Sequence, residues 1–161
     1  KPTRNFGLGH FSHMFSKLKR EKVVACEVGV ETGVHALLLC QLDIKELHLV
    51  ENNSQCQELS EKKLRDCPVV WHRDDSTAVA KTLPDEYFDF VYIDADHSHE
   101  SVKEDLNAWY PKVKEGGYLA GHDWTMDGVQ RAVIEFIQDK DVELRHMDDE
   151  RGFNEDWYFK K

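Results

Sequence analysis

The sequence predicts an α/β fold: a doubly wound, mostly parallel sheet of about seven strands with a closing antiparallel hairpin. Two observations lead to this prediction. Short apolar runs alternate with longer segments of helical period, which is the pattern of repeated βαβ units. The runs also end in acidic or glycine-rich residues, as strands do where a turn begins.

One domain is expected to span residues 1–161. The chain is 40% apolar, which is enough for a single core. No linker, repeat or low-complexity segment interrupts the alternating pattern. We assign residues 1–22 to an N-terminal helical segment and residues 23–161 to the α/β core.

Three strands are predicted in the first half of the chain, at KVVACEVG, ELHLVE and PVVWHRD. The first is nearly continuous in apolar residues, which is typical of a parallel strand buried on both faces. A helix follows each of the first two strands. The positions expected to face inward are Val34, Leu37, Leu38 and Leu42 in one helix and Cys56, Leu59 and Leu64 in the other.

The second half of the chain predicts three helices, two strands and the closing hairpin. The strands are YFDFVYIDA and YLAGHDW, and the hairpin joins VELRHM to DWYFKK. STAVAKTL predicts a short helix, and SVKEDLNAWY a longer one that Ser101 and Glu104 open through a capping box. The clearest helical period is that of Val129, Ala132, Val133, Phe136 and Ile137.

The net charge disfavours two classes of partner. The chain carries 31 acidic and 21 basic residues, a formal charge of -10 at pH 7. Such a chain repels the phosphates of nucleic acids and the anionic headgroups of membranes. No apolar stretch reaches the roughly 18 residues of a membrane span, and the charged start is not followed by the apolar core of a signal peptide. We therefore expect a cytoplasmic protein with no nucleic-acid or membrane partner.

The four cysteines, Cys26, Cys40, Cys56 and Cys67, show no C-x-x-C spacing. Cys26 and Cys40 lie within apolar runs, where free cysteine commonly packs. We expect four reduced, structural thiols. A zinc site built from them is the less favoured alternative.

Polar clusters follow two of the predicted strands, at DADHSH and GHDW. The turns after parallel strands lie along one edge of a sheet, and ligands of such sheets bind outside that edge. Topology therefore brings Asp94, Asp96 and His97 close to His122 and Asp123. The structural alternative is that Asp96 caps the next helix and the second cluster forms a hydrogen-bonded turn.

The first turn, EVGVETG, has features of a nucleotide-binding loop. Gly29 and Gly33 allow the backbone to bend sharply and to approach a ligand closely. Glu31 stands where a dinucleotide-binding loop has a second close glycine, so a cationic or zwitterionic ligand is favoured over a dinucleotide. Taken alone, the two glycines also fit a plain strand-to-helix connection.

Two later strand ends point to a nucleoside. Glu51 ends the second strand about 20 residues after the glycines, where an acid that accepts bonds from ribose hydroxyls is usually found. The third strand ends in Asp75 and Ser76, which are placed to meet the amine and ring of an adenine.

These stretches together resemble the class I S-adenosylmethionine-dependent methyltransferases, whose fold is Rossmann-like. The most specific stretch, FDFVYIDADHSHESVKEDLNAWYPKVKEGGYLAGHDW, is similar to small bacterial O-methyltransferases that act with a divalent cation on natural products and sugars. The resemblance implies an enzyme that uses S-adenosylmethionine to methylate the hydroxyl of a small molecule, with magnesium as the metal and manganese as the alternative. A homodimer is slightly favoured over a monomer.

The resemblance also implies roles for individual residues. Asp94, His122 and Asp123 are expected to bind the metal. Asp96 is expected to be the general base, with His97 as a second catalytic candidate. A bound cation would lower the pKa of the hydroxyl, and a nearby carboxylate would remove its proton. The residues expected to hold the cofactor are Glu27, Gly29, Gly33, Glu51, Asp75, Ser76 and Asp94.

Two other functions remain open from the residues. Two histidines and one carboxylate, drawn from the clusters after the fourth and fifth strands, would make the facial triad of a non-haem iron hydroxylase or oxygenase. That function gives no reason for the acids that end the second and third strands. A non-catalytic S-adenosylmethionine-binding domain is the other candidate, and the acids at every strand end argue against it.

Overall fold

A seven-stranded sheet with helices on both faces organises the structure, a computed structural model that describes residues 17–18, 22–148 and 155–161. The strands are β1 (Val23–Val28), β2 (Ile44–Val50), β3 (Val69–His72), β4 (Phe88–Ile93), β5 (Val113–Gly121), β6 (Arg145–Asp148) and β7 (Glu155–Lys160). The helices are α1 (Val34–Cys40), α2 (Ser54–Lys63), α3 (Ser76–Thr82), α4 (His99–Trp109) and α5 (Asp127–Ile137). Most of the helical segment predicted at 1–22 lies outside the described residues. No helix in the described ranges is long and apolar enough to cross a bilayer.

The strand order is β3-β2-β1-β4-β5-β7-β6. Strands β1 to β5 are parallel to one another, and β7 is antiparallel to both β5 and β6. This arrangement confirms the predicted doubly wound, mostly parallel sheet and its closing hairpin. Val28 lies opposite both Val50 and Ile93, and Ile93 lies opposite Gly121. The residues that follow these four positions therefore meet at one edge of the sheet.

Both faces of the sheet are covered, and β1 and β4 are buried at every position. On one face, α3, α4 and α5 contribute Val79, Val102 and Val129 to a shared apolar core. On the other face, Ala36 of α1 packs in a second core together with Leu64, which ends α2. Burial on two faces explains why the strand sequences are nearly continuous in apolar residues.

The inward face of α1 differs from the predicted one. Ala36 and Leu39 are fully buried, whereas Val34 is 54% exposed and Leu37 is 39% exposed. The helix carries apolar residues on every side, so its periodicity does not define a single buried face. The small side chain of Ala36 is compatible with close packing in the core.

Two polar residues of α2 face inward, and the prediction that Leu59 does so is wrong. Leu59 is 54% exposed, while Gln57 and Ser60 are buried. The Gln57 side chain donates a hydrogen bond to the carbonyl of Glu51, and the Ser60 hydroxyl donates to the carbonyl of Glu31 at 2.8 Å. The apolar period of the sequence does not predict this face, because its inward residues are polar and form hydrogen bonds with loops.

Ser98, rather than the predicted Ser101, caps α4. The Ser98 hydroxyl accepts a hydrogen bond from the backbone N–H of Ser101 at 3.4 Å, and the helix begins at His99. The predicted capping box is therefore wrong by one turn. In α5 the predicted inward face is confirmed by the buried residues Val129, Ala132 and Val133.

A disulfide joins Cys40 to Cys67, and their Cα atoms lie 5.9 Å apart. The other two cysteines, Cys26 and Cys56, are free thiols. The expectation of four reduced cysteines is therefore wrong for one pair. The sequence does not indicate this contact, because the two cysteines are 27 residues apart and the end of α1 meets the segment before β3 only in the folded protein. Disulfides persist mainly in oxidising compartments, so this bond weighs against the expected cytoplasmic location.

We expect Cys40→Ser to lower the free energy of unfolding by about 2–4 kcal/mol, because the disulfide restricts the unfolded chain. Chemical denaturation with and without a reducing agent measures the effect. Cys56→Ser, which alters a free thiol, is the matched control and should leave the response to the reducing agent unchanged. Alkylation of the denatured, unreduced protein should label only Cys26 and Cys56. Labelling of Cys40 and Cys67 before reduction would contradict the bond.

Candidate active site

A cavity of about 830 Å³ opens at the carboxyl ends of the parallel strands. Among the described residues its lining includes nine carboxylates and three imidazoles, but neither lysine nor arginine. The carboxylates belong to Glu31, Glu51, Asp74, Asp75, Asp94, Asp96, Glu104, Asp105 and Asp123, and the imidazoles to His35, His97 and His122. A lining of this kind favours a cationic ligand over one that carries phosphates.

The loop after β1 passes very close to the residues that follow β4. Gly29 has a left-handed φ of 85°, and a Cβ at this position would lie 2.7 Å from the Cα of Ala95. Glycine satisfies both constraints, because it tolerates positive φ and has no Cβ. Gly33, with a φ of 75°, directly precedes α1. Both predicted glycines therefore determine the path of this loop.

Glu51 fixes the same loop from the end of β2. Its Oε2 accepts hydrogen bonds from the backbone N–H groups of Val30 at 3.0 Å and Glu31 at 2.9 Å. Its Oε1 accepts from the backbone N–H of Asn53 at 2.9 Å. A single buried side chain thus holds two loops together at the position predicted for the ribose.

Two side chains of α2 hold the loop from its other side. The Ser60 hydroxyl donates to the carbonyl of Glu31, and Lys63 Nζ donates to the carbonyl of Thr32 at 2.7 Å. Glu31 has a positive φ of 49°, so these bonds stabilise a conformation that residues with a side chain rarely adopt. The polar inward face of α2 is explained by this contact.

Glu27 is fully buried, and its Oε2 has no hydrogen-bond partner among the described residues. Burial raises the pKa of Glu27 well above its usual range, and the charges of Asp94 and Glu51 raise it further. His35 Nδ1 lies 3.8 Å from Glu27 Oε1 and 3.2 Å from Asp94 Oδ2. His35 is absent from the predicted site. A histidine in the first turn after a glycine-rich loop is the signal that points to it.

Asp75 and Ser76 line the cavity, and both side chains are engaged by the protein. Asp75 Oδ1 caps α3 by accepting from the hydroxyl of Thr77 at 2.8 Å and from its N–H at 3.0 Å, and these bonds lower the pKa of Asp75. The Ser76 hydroxyl donates to Asp105 and accepts from Trp109 Nε1 at 2.8 Å. The predicted adenine contacts are therefore side chains already held in place by neighbouring groups.

Asp94, His97 and Asp123 form a carboxylate–imidazole cluster in the cavity. One ligand atom from each residue lies within 4.8 Å of the other two. His97 Nε2 is 2.6 Å from Asp123 Oδ2 and 3.7 Å from Asp94 Oδ1. Asp123 has a φ of 58°, and strained backbone of this kind occurs preferentially at functional sites. The strand register unites the two acids, because Asp94 follows β4 and Asp123 lies just after β5.

His97 rather than His122 completes this cluster, which differs from the predicted set of metal ligands. His122 Nδ1 lies 3.1 Å from Asp123 Oδ1 and 4.0 Å from Asp94 Oδ1. Burial opposes a charge on His122, but the hydrogen bond to Asp123 and the nearby negative charges raise the pKa of His122 to about 9. The contact with Asp123 thus favours the protonated form of the His122 imidazole.

The position of His97 depends on close packing against α5. A Cβ on Gly128 would lie 2.5 Å from the carbonyl oxygen of His97 and 2.9 Å from the backbone nitrogen of His99. The loop that carries His97 therefore rests directly on the first turn of α5. No pattern within the loop sequence indicates this contact, so the position of His97 beside the two acids could not be predicted from the sequence.

Asp96 also lines the cavity, and its exposed side chain caps the next turn. Asp96 Oδ1 accepts a hydrogen bond from the backbone N–H of Ser98 at 2.7 Å. Hydrogen bonds from Ser98 lower the pKa of Asp96. The helix-capping alternative is therefore present in the structure, and the role of Asp96 as a base remains a prediction.

A family model described as a methyltransferase domain matches residues 26–124, which is more than half of the chain. The chain belongs to this methyltransferase family. The match begins within β1 and ends just after Asp123, so it covers the glycine loop, Glu51 and the carboxylate–imidazole cluster. No curated protein matches the sequence.

Solved structures share the fold of this methyltransferase at low sequence identity. An rRNA methylase from Streptococcus thermophilus is 15% identical, with 99% of each chain covered and a TM-score of 0.74. A candidate O-methyltransferase from Klebsiella pneumoniae is 14% identical, with 99% of this chain and 82% of that chain covered and a TM-score of 0.77. A candidate methyltransferase from Streptococcus mutans, solved with S-adenosylhomocysteine (SAH), is 16% identical, with 96% of this chain and 98% of that chain covered and a TM-score of 0.74. These likenesses confirm the class I methyltransferase fold.

The cofactor of this family, S-adenosylmethionine, fits the residues that line the cavity. The cofactor carries a sulfonium and an ammonium group, and the described lining offers carboxylates without a competing lysine or arginine. Glu51 lies where the ribose hydroxyls are expected, beside the loop that contains Gly29. The chain's own residues thus match the positive charges and the sugar of the cofactor.

Glu51→Ala should weaken the binding of S-adenosylmethionine by about 1.5–3 kcal/mol, because it removes the buried carboxylate that is predicted to accept the ribose hydroxyls. Glu51→Gln keeps the shape and one acceptor, so a smaller loss is expected. Isothermal titration of both variants measures the difference. An unchanged affinity in Glu51→Ala would contradict the ribose assignment. Glu104→Gln, which changes an exposed acid on α4, is the control for a general loss of negative charge.

Proposed function

We propose that this methyltransferase transfers the methyl group of S-adenosylmethionine to the hydroxyl oxygen of a small molecule with the assistance of a divalent cation. The observation that carries the proposal is the carboxylate–imidazole cluster in the cavity of a methyltransferase domain. Methyl transfer from a sulfonium requires an oxygen nucleophile held in line with the methyl group. A neutral hydroxyl is a poor nucleophile, so both its orientation and the removal of its proton require catalytic groups.

The donor atoms of the cluster fit a divalent cation. Asp94 and Asp123 supply the carboxylate oxygens that magnesium and manganese prefer, and His97 adds an imidazole that shifts the preference toward manganese. A bound cation would orient the hydroxyl and lower its pKa. His35 and His122 contact the two carboxylates from outside the cluster and orient them.

Asp96 is the proposed general base for the hydroxyl proton. Asp96 lies between Asp94 and His97 in the sequence. Its side chain lines the cavity and is exposed to solvent. Its lowered pKa makes it a weak base, so the proposal requires that the acceptor hydroxyl is itself acidified. His97 is proposed as a ligand of the cation rather than as the base, because its Nε2 lies between the two acids.

A small acceptor is favoured over RNA. An rRNA methylase is among the proteins with this fold, but its 15% identity supports only the architecture. The chain has a net charge of -10, and the described cavity lining contains no lysine or arginine that would bind a phosphate backbone. A neutral or cationic small molecule meets no such repulsion.

The composition of the cluster disfavours the iron oxygenase alternative. A facial triad requires two histidines and one carboxylate, whereas the cluster contains one histidine and two carboxylates. His122 lies next to the cluster and contacts Asp123 at 3.1 Å. The family match also favours a methyl donor over dioxygen as the ligand of the cavity.

His97→Ala should weaken the binding of Mn²⁺ by more than about 100-fold, because a direct ligand contributes more than a residue that only orients a ligand. His122→Ala is the matched comparison, and its loss should stay within the roughly 10–100-fold range of a residue that only orients a ligand. Electron paramagnetic resonance of free Mn²⁺ measures both affinities. The reverse order of effects would favour Asp94, His122 and Asp123 as the ligand set. Absence of Mn²⁺ and Mg²⁺ binding by the wild-type protein would contradict metal assistance.

Asp96→Asn should slow methyl transfer by ~10²–10⁴-fold while the binding of Mn²⁺ and SAH stays close to wild type, because only the proton acceptor is lost. The release of SAH with a small phenol or sugar acceptor, found by screening, measures the rate. Glu100→Gln alters an exposed acid in the first turn of α4 and is the control for a local change near the loop. Full activity of Asp96→Asn would show that this residue only caps the turn.

A further inference from the structure

Two histidines lie side by side on one face of the sheet, away from the cavity. Glu46 and His48 occupy alternate positions of β2, so their side chains point to the same face. His48 lies opposite Val70 of β3, and His72 follows two residues later on that face. His48 Nδ1 is 2.9 Å from His72 Nε2. A parallel sheet between helices is normally apolar on both faces, so these ionisable side chains require an explanation.

Glu46 determines which ring nitrogen of His48 carries a proton. Glu46 Oε2 lies 3.0 Å from His48 Nε2 and also accepts a hydrogen bond from the hydroxyl of Tyr87 at 2.6 Å. Because a carboxylate only accepts hydrogen bonds, His48 Nε2 is the protonated nitrogen. The lone pair of the neutral His48 ring is therefore on Nδ1, the atom that faces His72.

Aromatic side chains fix the orientation of the His48 ring. Tyr87 and Phe88 contact it edge to face, with ring centroids 5.7 Å and 5.1 Å from its own. The ring thus has its Nδ1 directed at His72 by packing as well as by the hydrogen bond to Glu46. A nitrogen held in this way is preorganised as a ligand, since little side-chain freedom remains to be lost.

Solvent has access to the two histidines from the side of the edge strand. His48 is buried, but Val70, which lies opposite it on the same face, is 40% exposed. His72 is half-buried, and β3 is a four-residue strand at the end of the sheet. The described lining of the cavity does not include Glu46, His48 or His72. The two histidines are therefore separate from the carboxylate–imidazole cluster.

We propose that His48 and His72 form a metal site that takes Zn²⁺ or a similar borderline-soft divalent ion and joins the edge strand β3 to β2. Two Zn–N bonds of a tetrahedral ion separate their nitrogens by about 3.3–3.4 Å, so the observed 2.9 Å contact has to open by only about 0.5 Å. Neutral His72 presents a lone pair on Nε2 when its proton is on Nδ1. Water molecules complete the coordination from the exposed side.

Glu46 supports such a site without binding the ion. A metal-binding histidine usually donates its other ring N–H to a carboxylate, which fixes the tautomer and makes the ligand more basic. Glu46 stands in this relation to His48, and Tyr87 holds Glu46 in turn. Imidazole ligands favour zinc and copper over magnesium, which prefers oxygen. The site therefore differs in its metal from the one proposed in the cavity.

The test is a titration of metal-free protein with Zn²⁺ in competition with a chromogenic chelator. Asp94→Asn combined with Asp123→Asn removes both carboxylates of the cavity cluster, and this double variant should still bind one Zn²⁺. Adding His48→Gln or His72→Gln should weaken that binding by more than about 100-fold, because each removes a direct ligand. His146→Gln changes an exposed histidine elsewhere and is the matched control, which should keep the affinity of the double variant.

Glu46→Gln in the same background should weaken Zn²⁺ binding by roughly 10–100-fold, the range of a residue that only orients a ligand. Failure of the double variant to bind Zn²⁺ would overturn the proposal, and so would an unchanged affinity after His72→Gln. Circular dichroism establishes that each variant is folded. If buried His48→Gln does not fold, half-buried His72→Gln decides the result alone. Metal-assisted methylation is tested separately, since these titrations use protein without the cavity carboxylates.

Discussion

The hydrogen bonds that continue past the end of β1 set the geometry of the whole site. Gly29 N–H donates to the carbonyl of Val50 at 2.9 Å, and Asp94 N–H donates to the carbonyl of Val28 at 2.8 Å. The glycine loop after β1 and the first acid of the carboxylate–imidazole cluster are therefore held by one continuous ladder. A glycine is required at the crossing point, because a Cβ at position 29 would collide with the backbone after β4.

Five of the nine acids that line the cavity fall into two groups, according to whether they accept hydrogen bonds from backbone N–H groups. Glu51, Asp75 and Asp96 each accept at least one backbone N–H, so the fold itself stabilises their negative charge. Asp94 and Asp123 have imidazoles as their partners. Like charges this close together repel, and the carboxylates without backbone donors gain most from a ligand that brings a cation or an N–H group.

Much of this arrangement could be predicted from the sequence, because it depends on chain order and strand ends. Apolar runs located the strands, and parallel topology placed Gly29, Glu51, Asp94 and Asp123 at one edge. These relations need only the rule that ligands bind outside the carboxyl ends of parallel strands.

The remaining features depend on contacts between segments that are distant in the chain. His97 reaches the acids because its loop rests on Gly128, and Cys40 meets Cys67 across 27 residues. The face of α2 turns inward through Ser60, which bonds a loop 29 residues away. No local period or spacing contains such information, since the partner is selected by packing in three dimensions.

Asp94 belongs to both halves of the cavity, and this has a mechanistic consequence. Residues after β1, β2 and β3 surround the expected cofactor, whereas the carboxylate–imidazole cluster is built from residues after β4 and β5. Asp94 adjoins the glycine loop through its backbone, and its side chain contacts His35 of α1 as well as His97. A shift of the glycine loop would therefore move a carboxylate of the cluster, because the backbone of Asp94 lies against Gly29 and is hydrogen-bonded to Val28. In the proposed reaction, this backbone contact would couple the position of the methyl donor to that of the hydroxyl oxygen, and in-line transfer depends on the distance between them.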